Sequence, residues 1–177
     1  MHDLVIENAS LIDGLGTPAR PGDLAVKDGH IAAIGKDLGA ASSRIDAEGL
    51  TLAPGIIDLH THYDAQLLWD SFATPSVALG VTSLVIGNCG FTIAPCRPND
   101  RDLTLRNLTH VEGMPLEALR AGVDWSFESY PDYLRLLERK GTVPNVASFI
   151  GHSSVRTFVL REDAAKRAAT KAEVAQM

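Results

Sequence analysis

Short runs of alternating hydrophobic and polar residues fill the first third of the chain and predict β-strands joined by tight turns. The strands are expected at 4–11, 23–27, 30–35, 44–46 and 50–52. The dipeptide Asp28-Gly29 separates two of these runs, and it suits the positive φ angles of a two-residue hairpin turn. Residues 1–53 are therefore expected to form a small β module with too little core to be stable alone.

From residue 54 onward, longer apolar runs alternate with helical stretches, which is typical of βαβ units and a parallel sheet. Strands are predicted at 56–62, 83–87 and 146–150. A helix is predicted from Tyr130, because Pro131 suits a first helical turn and Gly141 suits a helix end. A second helix is expected at 115–121. A third is expected at 162–177, where the composition is rich in alanine and charged residues.

Each of the three predicted parallel strands ends in polar residues capable of chemistry. His60 and His62 end the first run, Cys89 follows the second, and His152 follows the third. Functional side chains gather at the C-terminal ends of parallel strands, so these residues are expected to share one site. Alternate residues of a strand share a face, which would point Asp58, His60 and His62 into one cavity. Two such imidazoles form an incomplete metal chelate, which indicates a metal hydrolase.

Composition and charge narrow the classes of partner. The 177 residues are 45% hydrophobic, which is enough for a globular core. A formal charge of −6 offers no basic excess to attract nucleic acid or anionic lipid. No apolar run approaches the roughly 20 residues that cross a bilayer, and the N-terminus does not resemble a signal peptide. These features predict a cytoplasmic protein without nucleic-acid or membrane partners, in which Cys89 and Cys96 form no disulfide.

The segment IDAEGLTLAPGIIDLHTH at residues 45–62 resembles the amidohydrolase superfamily. In that superfamily it links a small β-sandwich to the first strand of a metal-bearing (β/α)8 barrel. The motif GNCGFTIAP at 87–95 and the motif GHSSVR at 151–156 resemble the N-acyl-D-amino-acid deacylase (D-aminoacylase) branch. The resemblance implies an α/β fold and an N-terminal fragment of such an enzyme. Residues 1–53 would be the β-sandwich portion, and residues 54–177 about three strands of an incomplete TIM-barrel domain.

The same resemblance implies zinc-dependent hydrolysis of the amide bond of N-acyl-D-amino acids, with one or two zinc ions in the complete enzyme. The implied metal ligands are His60, His62 and Cys89. Cys89 would serve the better-occupied zinc site, and the histidines a neighbouring, weakly filled one. The remaining histidine ligands and the general-base aspartate would lie on later strands, beyond this chain. Residues expected to support the ligands or to line the substrate pocket are Asp58, Tyr63, Asp64, Asn88, His152 and Arg156.

Two alternatives to an active deacylase stay open, because about 120 residues follow Pro54 and a complete barrel needs roughly 250. The chain could be a non-catalytic remnant or one part of a split enzyme. Its open sheet would then favour self-association or a complementing C-terminal chain. The chain could instead resemble the dihydropyrimidinases and hydantoinases, although the motif Asn88-Cys89-Gly90 argues against them. No special chemistry is expected of the remaining thiol and imidazoles, which belong to Cys96, His2, His30 and His110.

Overall fold

Residues Met1–Pro54 and Gly55–Met177 form two separate units of a mixed α/β chain. The computed structural model describes residues 1–110 and 113–177 with their side chains. Within these described ranges, no helix has both the length and the apolar surface that a membrane-spanning helix requires.

The N-terminal unit is a five-stranded β-sheet built around its first strand. Its strands are β1 (His2–Leu11), β2 (Arg20–Lys27), β3 (His30–Gly35), β4 (Ala41–Asp46) and β5 (Thr51–Leu52). The order along the sheet is β3-β2-β1-β4, and β5 pairs with the end of β1. β1 runs antiparallel to β2 and parallel to β4 and β5. This unit therefore contains the predicted short strands in one sheet.

The turn between β2 and β3 follows the predicted hairpin chemistry. Asp28 has φ 51° and Gly29 has φ 74°, and positive φ at both central residues is the requirement of a type I′ turn. The two strands pair antiparallel from Lys27 with His30 at the turn to Asp23 with Gly35 at the far end. The hairpin prediction is confirmed.

The C-terminal unit contains a second sheet of three parallel strands. They are β6 (Ile56–Asp58), β7 (Val81–Ile86) and β8 (Asn145–Ser148), in the order β6-β7-β8. Both pairings are parallel, as the apolar runs predicted. Because sequential parallel strands lie side by side, the loops that follow them emerge at the same edge of the sheet.

The first parallel strand is shorter than predicted. Its ladder ends at Asp58, so His60 and His62 lie in the following loop and the expectation of a strand to residue 62 was wrong. Asp58 Oδ1 accepts the backbone N–H of His60 at 3.1 Å. Local side-chain bonds of this kind compete with a strand ladder for backbone donors and bend the chain. After Asp58, the backbone N–H and the side-chain hydroxyl of Thr61 both donate to the carbonyl oxygen of Val85 in the neighbouring strand, at 3.1 and 2.9 Å.

In the part of the chain that the structure describes, five α-helices accompany the parallel sheet. They are α1 (Arg101–Glu112), α2 (Leu116–Gly122), α3 (Tyr130–Lys140), α4 (His152–Leu160) and α5 (Lys171–Gln176). The predicted helices at 115–121 and from Tyr130 are confirmed as α2 and α3. Neither α1 nor α4 was predicted.

The continuous helix expected at 162–177 was wrong. That stretch contains a 3-10 turn at Arg161–Ala165 and then the short helix α5. Thr170 caps α5, because its side chain accepts the backbone N–H of Glu173 and the Glu173 carboxylate accepts the backbone N–H of Thr170. This capping box starts a new helix where average helix propensity alone predicted continuity.

The hydrophobic core of the C-terminal unit lies between β7 and the helices. Its large buried side chains come from β7, from the loop after β6 and from α1, α2 and α3, and include Leu84, Ile86, Leu67, Leu68, Leu105, Leu108, Leu119, Tyr133, Leu136 and Leu137. Burying side chains of this size contributes about 1.5–3 kcal/mol each relative to exposure. By contrast, Ile56, Ile57, Leu59, Phe149 and Ile150 are more than half exposed. The core thus holds the sheet from one side and leaves apolar side chains near β6 and after β8 uncovered.

We expect Ser129→Ala to lower the free energy of unfolding by about 1 kcal/mol. Ser129 Oγ accepts the backbone N–H of Asp132 at the start of α3, and the Asp132 carboxylate accepts the backbone N–H of Ser129. Urea titration followed by circular dichroism measures the change. The matched control is Ser126→Ala, because Ser126 is exposed and lies before the helix. Equal losses in the two variants would contradict the role of the cap.

Candidate metal centre

The loops that follow β6 and β7 bring the three predicted metal ligands together. His60 Nε2 lies 3.2 Å from Cys89 Sγ, and the rings of His60 and His62 have centroids 5.5 Å apart. One ligand atom from each of the three residues lies within 4.8 Å of the other two. Ligands bound to one tetrahedral zinc ion lie about 3.5 Å apart, as the metal–ligand bond lengths require. The three side chains therefore need only small movements to share one cation.

The donor set and the state of His62 suit a divalent metal such as zinc. Two imidazole nitrogens and a thiolate sulfur are ligands that zinc prefers. His62 Nδ1 is buried, and no hydrogen-bond partner for it is found among the residues described with side chains. Burial, followed by the neighbouring His60, lowers the pKa of His62. A neutral imidazole with a free nitrogen is the form that coordinates metal, so this site fits a zinc ion.

Cys89 stands in a tight turn with an unusual backbone. The 3-10 turn Asn88–Gly90 follows β7, and Gly87, Cys89 and Gly90 have φ angles of 78°, 54° and 78°. Gly87 is required here, because a Cβ at this residue would lie 2.3 Å from the carbonyl oxygen of Phe149. A left-handed conformation at a residue other than glycine costs on the order of 1–3 kcal/mol and often marks a functional site. The turn presents an exposed thiol beside His60.

Asp58 and Tyr63 each form a hydrogen bond near the histidines. Asp58 contacts the backbone N–H of His60, so it shapes the loop through the main chain. The hydroxyl of Tyr63 lies 2.8 Å from Ser76 Oγ, which joins the loop after β6 to the segment before β7. Both residues therefore help to define the loop that carries the imidazoles.

Asp64 and Asn88 each join the two ligand-bearing loops. Asp64 Oδ2 accepts the backbone N–H of Gly87 at 3.1 Å. Asn88 Nδ2 donates to the carbonyl oxygens of Val85 at 2.8 Å and Thr61 at 3.3 Å. The bond between Asp64 and Gly87 and the bond between Asn88 and Thr61 cross between the loop after β6 and the turn after β7.

His152 and Arg156 belong to α4, and only His152 adjoins the ligands. A Cβ built on Gly90 would lie 3.9 Å from His152 Cβ, which places His152 beside the cysteine turn. Arg156 Nε donates to the carbonyl oxygen of Ala164 at 2.7 Å, and Arg156 Nη2 donates to that of Arg167. Arg156 thus holds the segment that follows α4.

Three hydrogen bonds around the site were not anticipated from the sequence. The hydroxyl of Tyr133, a fully buried residue of α3, donates to the backbone carbonyl of Asp64 at 2.9 Å. Thr92 Oγ1 accepts the backbone N–H of Gly151 at 3.3 Å, and the backbone N–H of Thr92 donates to Ser154 Oγ at 3.0 Å. The partners are about 60 or more residues apart in the chain, so no local pattern marks them.

Comparison with known proteins supplies the family. The profile described as the amidohydrolase family matches residues 44–177, which is most of this chain. The chain belongs to the amidohydrolase family. A D-aminoacylase of Alcaligenes xylosoxydans xylosoxydans is 42% identical over 99% of this amidohydrolase chain and 34% of its own length.

Two solved structures resemble the amidohydrolase chain over nearly its full length. One is a D-aminoacylase described as having a binuclear metal centre, with a TM-score of 0.82, 34% identity, and coverage of 99% of this chain and 35% of the other. The second is an N-acyl-D-glutamate deacylase from Bordetella bronchiseptica in complex with zinc and a phosphonate inhibitor. The TM-score of this match is 0.76 at 31% sequence identity, and the match covers 99% of this chain and 34% of the deacylase chain. The chain spans about a third of the length of these relatives.

Asp64 has the most strongly perturbed pKa among the described carboxyl groups near the candidate metal centre. Its side chain is 1% exposed, and no partner for Oδ1 is present among the side chains and backbone groups that the structure describes. Burial raises the pKa of Asp64 from an ordinary value of 3.8 to about 7, although the hydrogen bond from Gly87 opposes the change. The carboxyl group is therefore protonated in the folded chain at pH values where the unfolded chain has already lost the proton.

This difference predicts a fall in stability with pH. Between pH 4 and 7 the folded metal-free chain binds more protons at Asp64 than the unfolded chain does, so its free energy of unfolding decreases as the pH rises. The contribution is fully present below the unfolded pKa and is lost as the pH passes through the folded pKa. Asp64→Asn cannot titrate and still offers an acceptor to Gly87. We expect the variant to gain stability relative to the original chain across this window in urea titrations, and a pH-independent difference would contradict the assignment.

Proposed function

We propose that the complete protein is a zinc-dependent amidohydrolase that hydrolyses the amide bond of N-acyl-D-amino acids. The observation that supports it is the convergence of His60, His62 and Cys89, whose ligand atoms lie within 4.8 Å of one another at adjacent strand ends. The 42% identity to a D-aminoacylase and the same level of identity to an N-acyl-D-aspartate deacylase support the substrate class. The small-molecule partner would be an N-acylated D-amino acid.

The residues of this chain would hold the metal and keep its ligands in the correct state. A bound zinc ion would act as a Lewis acid toward the amide substrate. His62 would offer a neutral ring nitrogen, because its pKa is lowered by burial. The exposed thiol of Cys89 would lose its proton on binding a divalent cation, as coordinated thiols do. One or two zinc ions would be bound once ligands from the rest of the protein are added.

We further propose that this chain is the first part of a larger enzyme fold. The three parallel strands follow one another in both sequence and space, and the candidate ligands follow the C-terminal ends of the first two, as in a (β/α)8 barrel. Residues 54–177 would be the first three strands of that TIM barrel, and residues 1–53 part of a β-sandwich. The proportion of the relatives that the chain covers, about a third, agrees with this proposal.

The exposed apolar side chains near the parallel sheet support a need for further polypeptide. Ile56, Ile57 and Leu59 at β6 and Phe149 and Ile150 after β8 are 53–68% exposed. Unpaired strand edges and large exposed apolar residues favour association. We propose that a C-terminal part of the protein covers these side chains in the cytoplasm. The isolated 177-residue chain would then self-associate. It would also lack turnover, because its general base would lie on a later strand.

We expect the complete protein to release free D-amino acid from N-acetyl-D-amino acids, and the 177-residue chain to release none. A panel of N-acetyl-D-amino acids, with their L enantiomers as the control, can be assayed for amine release in the presence of zinc. Turnover by the isolated chain would refute its proposed inactivity. Metal-loaded complete protein that leaves the D substrates intact would refute the proposed reaction.

We expect Cys89→Ala to remove tightly bound zinc and activity together in the complete protein, since it deletes a sulfur ligand. Elemental analysis of purified protein and the N-acetyl-D-amino acid assay measure the two losses. Cys96→Ala is the matched control, because Cys96 is buried, its pKa is raised by burial, and its Sγ lies 3.3 Å from Thr104 Oγ1. This control should retain zinc with a stability loss of about 1 kcal/mol. Similar zinc contents in the two variants would disprove the ligand assignment.

A further inference from the structure

Two side chains cross between the ligand-bearing loops in opposite directions. Asp64 extends from the histidine loop and accepts the backbone N–H of Gly87 at 3.1 Å. Asn88 extends from the cysteine turn and donates to the backbone carbonyl of Thr61 at 3.3 Å. Each loop therefore receives a side-chain hydrogen bond on its main chain from the other. We call Asp64 and Asn88 the reciprocal clamp.

The clamp acts on the backbone next to the candidate ligands. Thr61 lies between His60 and His62, so a bond to its carbonyl oxygen restrains both imidazoles. Gly87 opens the turn that carries Cys89, so a bond to its N–H restrains the start of that turn. The clamp therefore sets how far the thiol stands from the two rings.

The backbone of the cysteine turn has one local hydrogen bond, from the N–H of Phe91 to the carbonyl oxygen of Asn88 at 3.0 Å. Gly87 and Gly90 have positive φ angles, which glycine permits and does not enforce. Cys89 has φ 54°, a conformation that costs on the order of 1–3 kcal/mol at a residue other than glycine and persists only where surrounding contacts maintain it. A second bond from Asn88 Nδ2, 2.8 Å to the carbonyl oxygen of Val85, fixes the amide to β7. The side-chain bonds of Asn88 thus supply a restraint that the glycines cannot.

The other half of the clamp is anchored in the core. Asp64 is 1% exposed, and its backbone carbonyl accepts the hydroxyl of the fully buried Tyr133 at 2.9 Å. This bond ties the histidine loop to α3. The clamp therefore transmits the rigidity of the packed core to the loops at the sheet edge, which expose Cys89 and His60.

We propose that Asn88 and Asp64 are positioning residues that set the separation of the Cys89 thiol from the imidazoles of His60 and His62. The inference rests on the proposed metal-binding function. Neither side chain is needed as a ligand. Loss of the clamp would separate the ligands and weaken metal binding, because supporting hydrogen bonds of this kind typically change metal affinity by 10–100-fold.

The test is a Co²⁺ titration of the purified complete protein after removal of its metal, since the isolated 177-residue chain lacks the remaining ligands. Co²⁺ binds the same types of ligand as zinc. A thiolate bound to Co²⁺ gives a near-ultraviolet charge-transfer band, which reports on Cys89 directly. We expect Asn88→Ala to bind Co²⁺ about 10–100-fold more weakly and to lose most of that band at partial saturation. Asn88→Asp keeps the side-chain volume, cannot donate when ionised, and should show the same loss.

Asn145→Ala is the matched control. Asn145 Nδ2 also donates to the backbone of β7, at 3.3 Å from the carbonyl oxygen of Thr82, but it does so at the opposite end of the strand. We expect Co²⁺ affinity within about twofold of the unsubstituted complete protein, since no restraint on the ligand loops is lost. Urea titration of each metal-free variant separates weaker metal binding from loss of folding.

The possible outcomes distinguish the clamp from the metal site. If the unsubstituted complete protein shows no thiolate band with Co²⁺, the proposed metal site is wrong and the clamp fails with it. If the unsubstituted protein binds and both Asn88 variants bind equally well with the same spectrum, only the positioning role is overturned. Should the Asn88 variants not fold, Asp64→Leu and Asp64→Asn test the clamp instead. Asp64→Leu removes the acceptor and should weaken Co²⁺ binding about tenfold. Asp64→Asn keeps an acceptor for Gly87 and should retain the Co²⁺ affinity. Equal affinity in these two variants would overturn the role of Asp64.

Discussion

The parallel pairing of β6 with β7 is the constraint on which the candidate metal centre depends. Asp58 pairs with Leu84 in this register, so the two strands end at the same edge of the sheet and their loops meet there. The imidazoles of His60 and His62 follow one strand, and the thiol of Cys89 follows the next, more than 25 residues later. Because the strands end together, these side chains can face one another. The helices serve the same arrangement, because they bury one side of β7 and hold the strands in place.

The site combines a rigid support with a locally strained turn. The core reaches the histidine loop through Tyr133 and Asp64, and the loop is joined to the cysteine turn by bonds in both directions. The left-handed backbone of Cys89 brings its sulfur to 3.2 Å from His60. Burial acts in a second way, since it leaves a ring nitrogen of His62 without a hydrogen-bond partner among the described residues and lowers the pKa of that ring. Both effects favour a cation as the missing partner.

Local chemistry explains which elements could be predicted. The hairpin at Asp28-Gly29 and the start of α3 at Ser129 depend on residues within a few positions of one another, and such signals can be read directly. The end of β6 depends on a single carboxylate that captures a nearby amide, and the helix break before Thr170 depends on a capping box. Both of those signals are also local, but average hydrophobicity and helix propensity hide them.

The sequence by itself determined the chemistry of the centre, which is that of the imidazoles, the thiol and the ends of the parallel strands that they follow. It also determined the family, through motifs at those same strand ends. Only the tertiary structure decided how the ligands are held. The contacts of Asp64 with Gly87 and Tyr133 join residues that are 23 and 69 positions apart, and such pairs become neighbours only after the sheet and helices pack. Hydrogen bonds act over about 3 Å in space, so their partners cannot be read from separation along the chain.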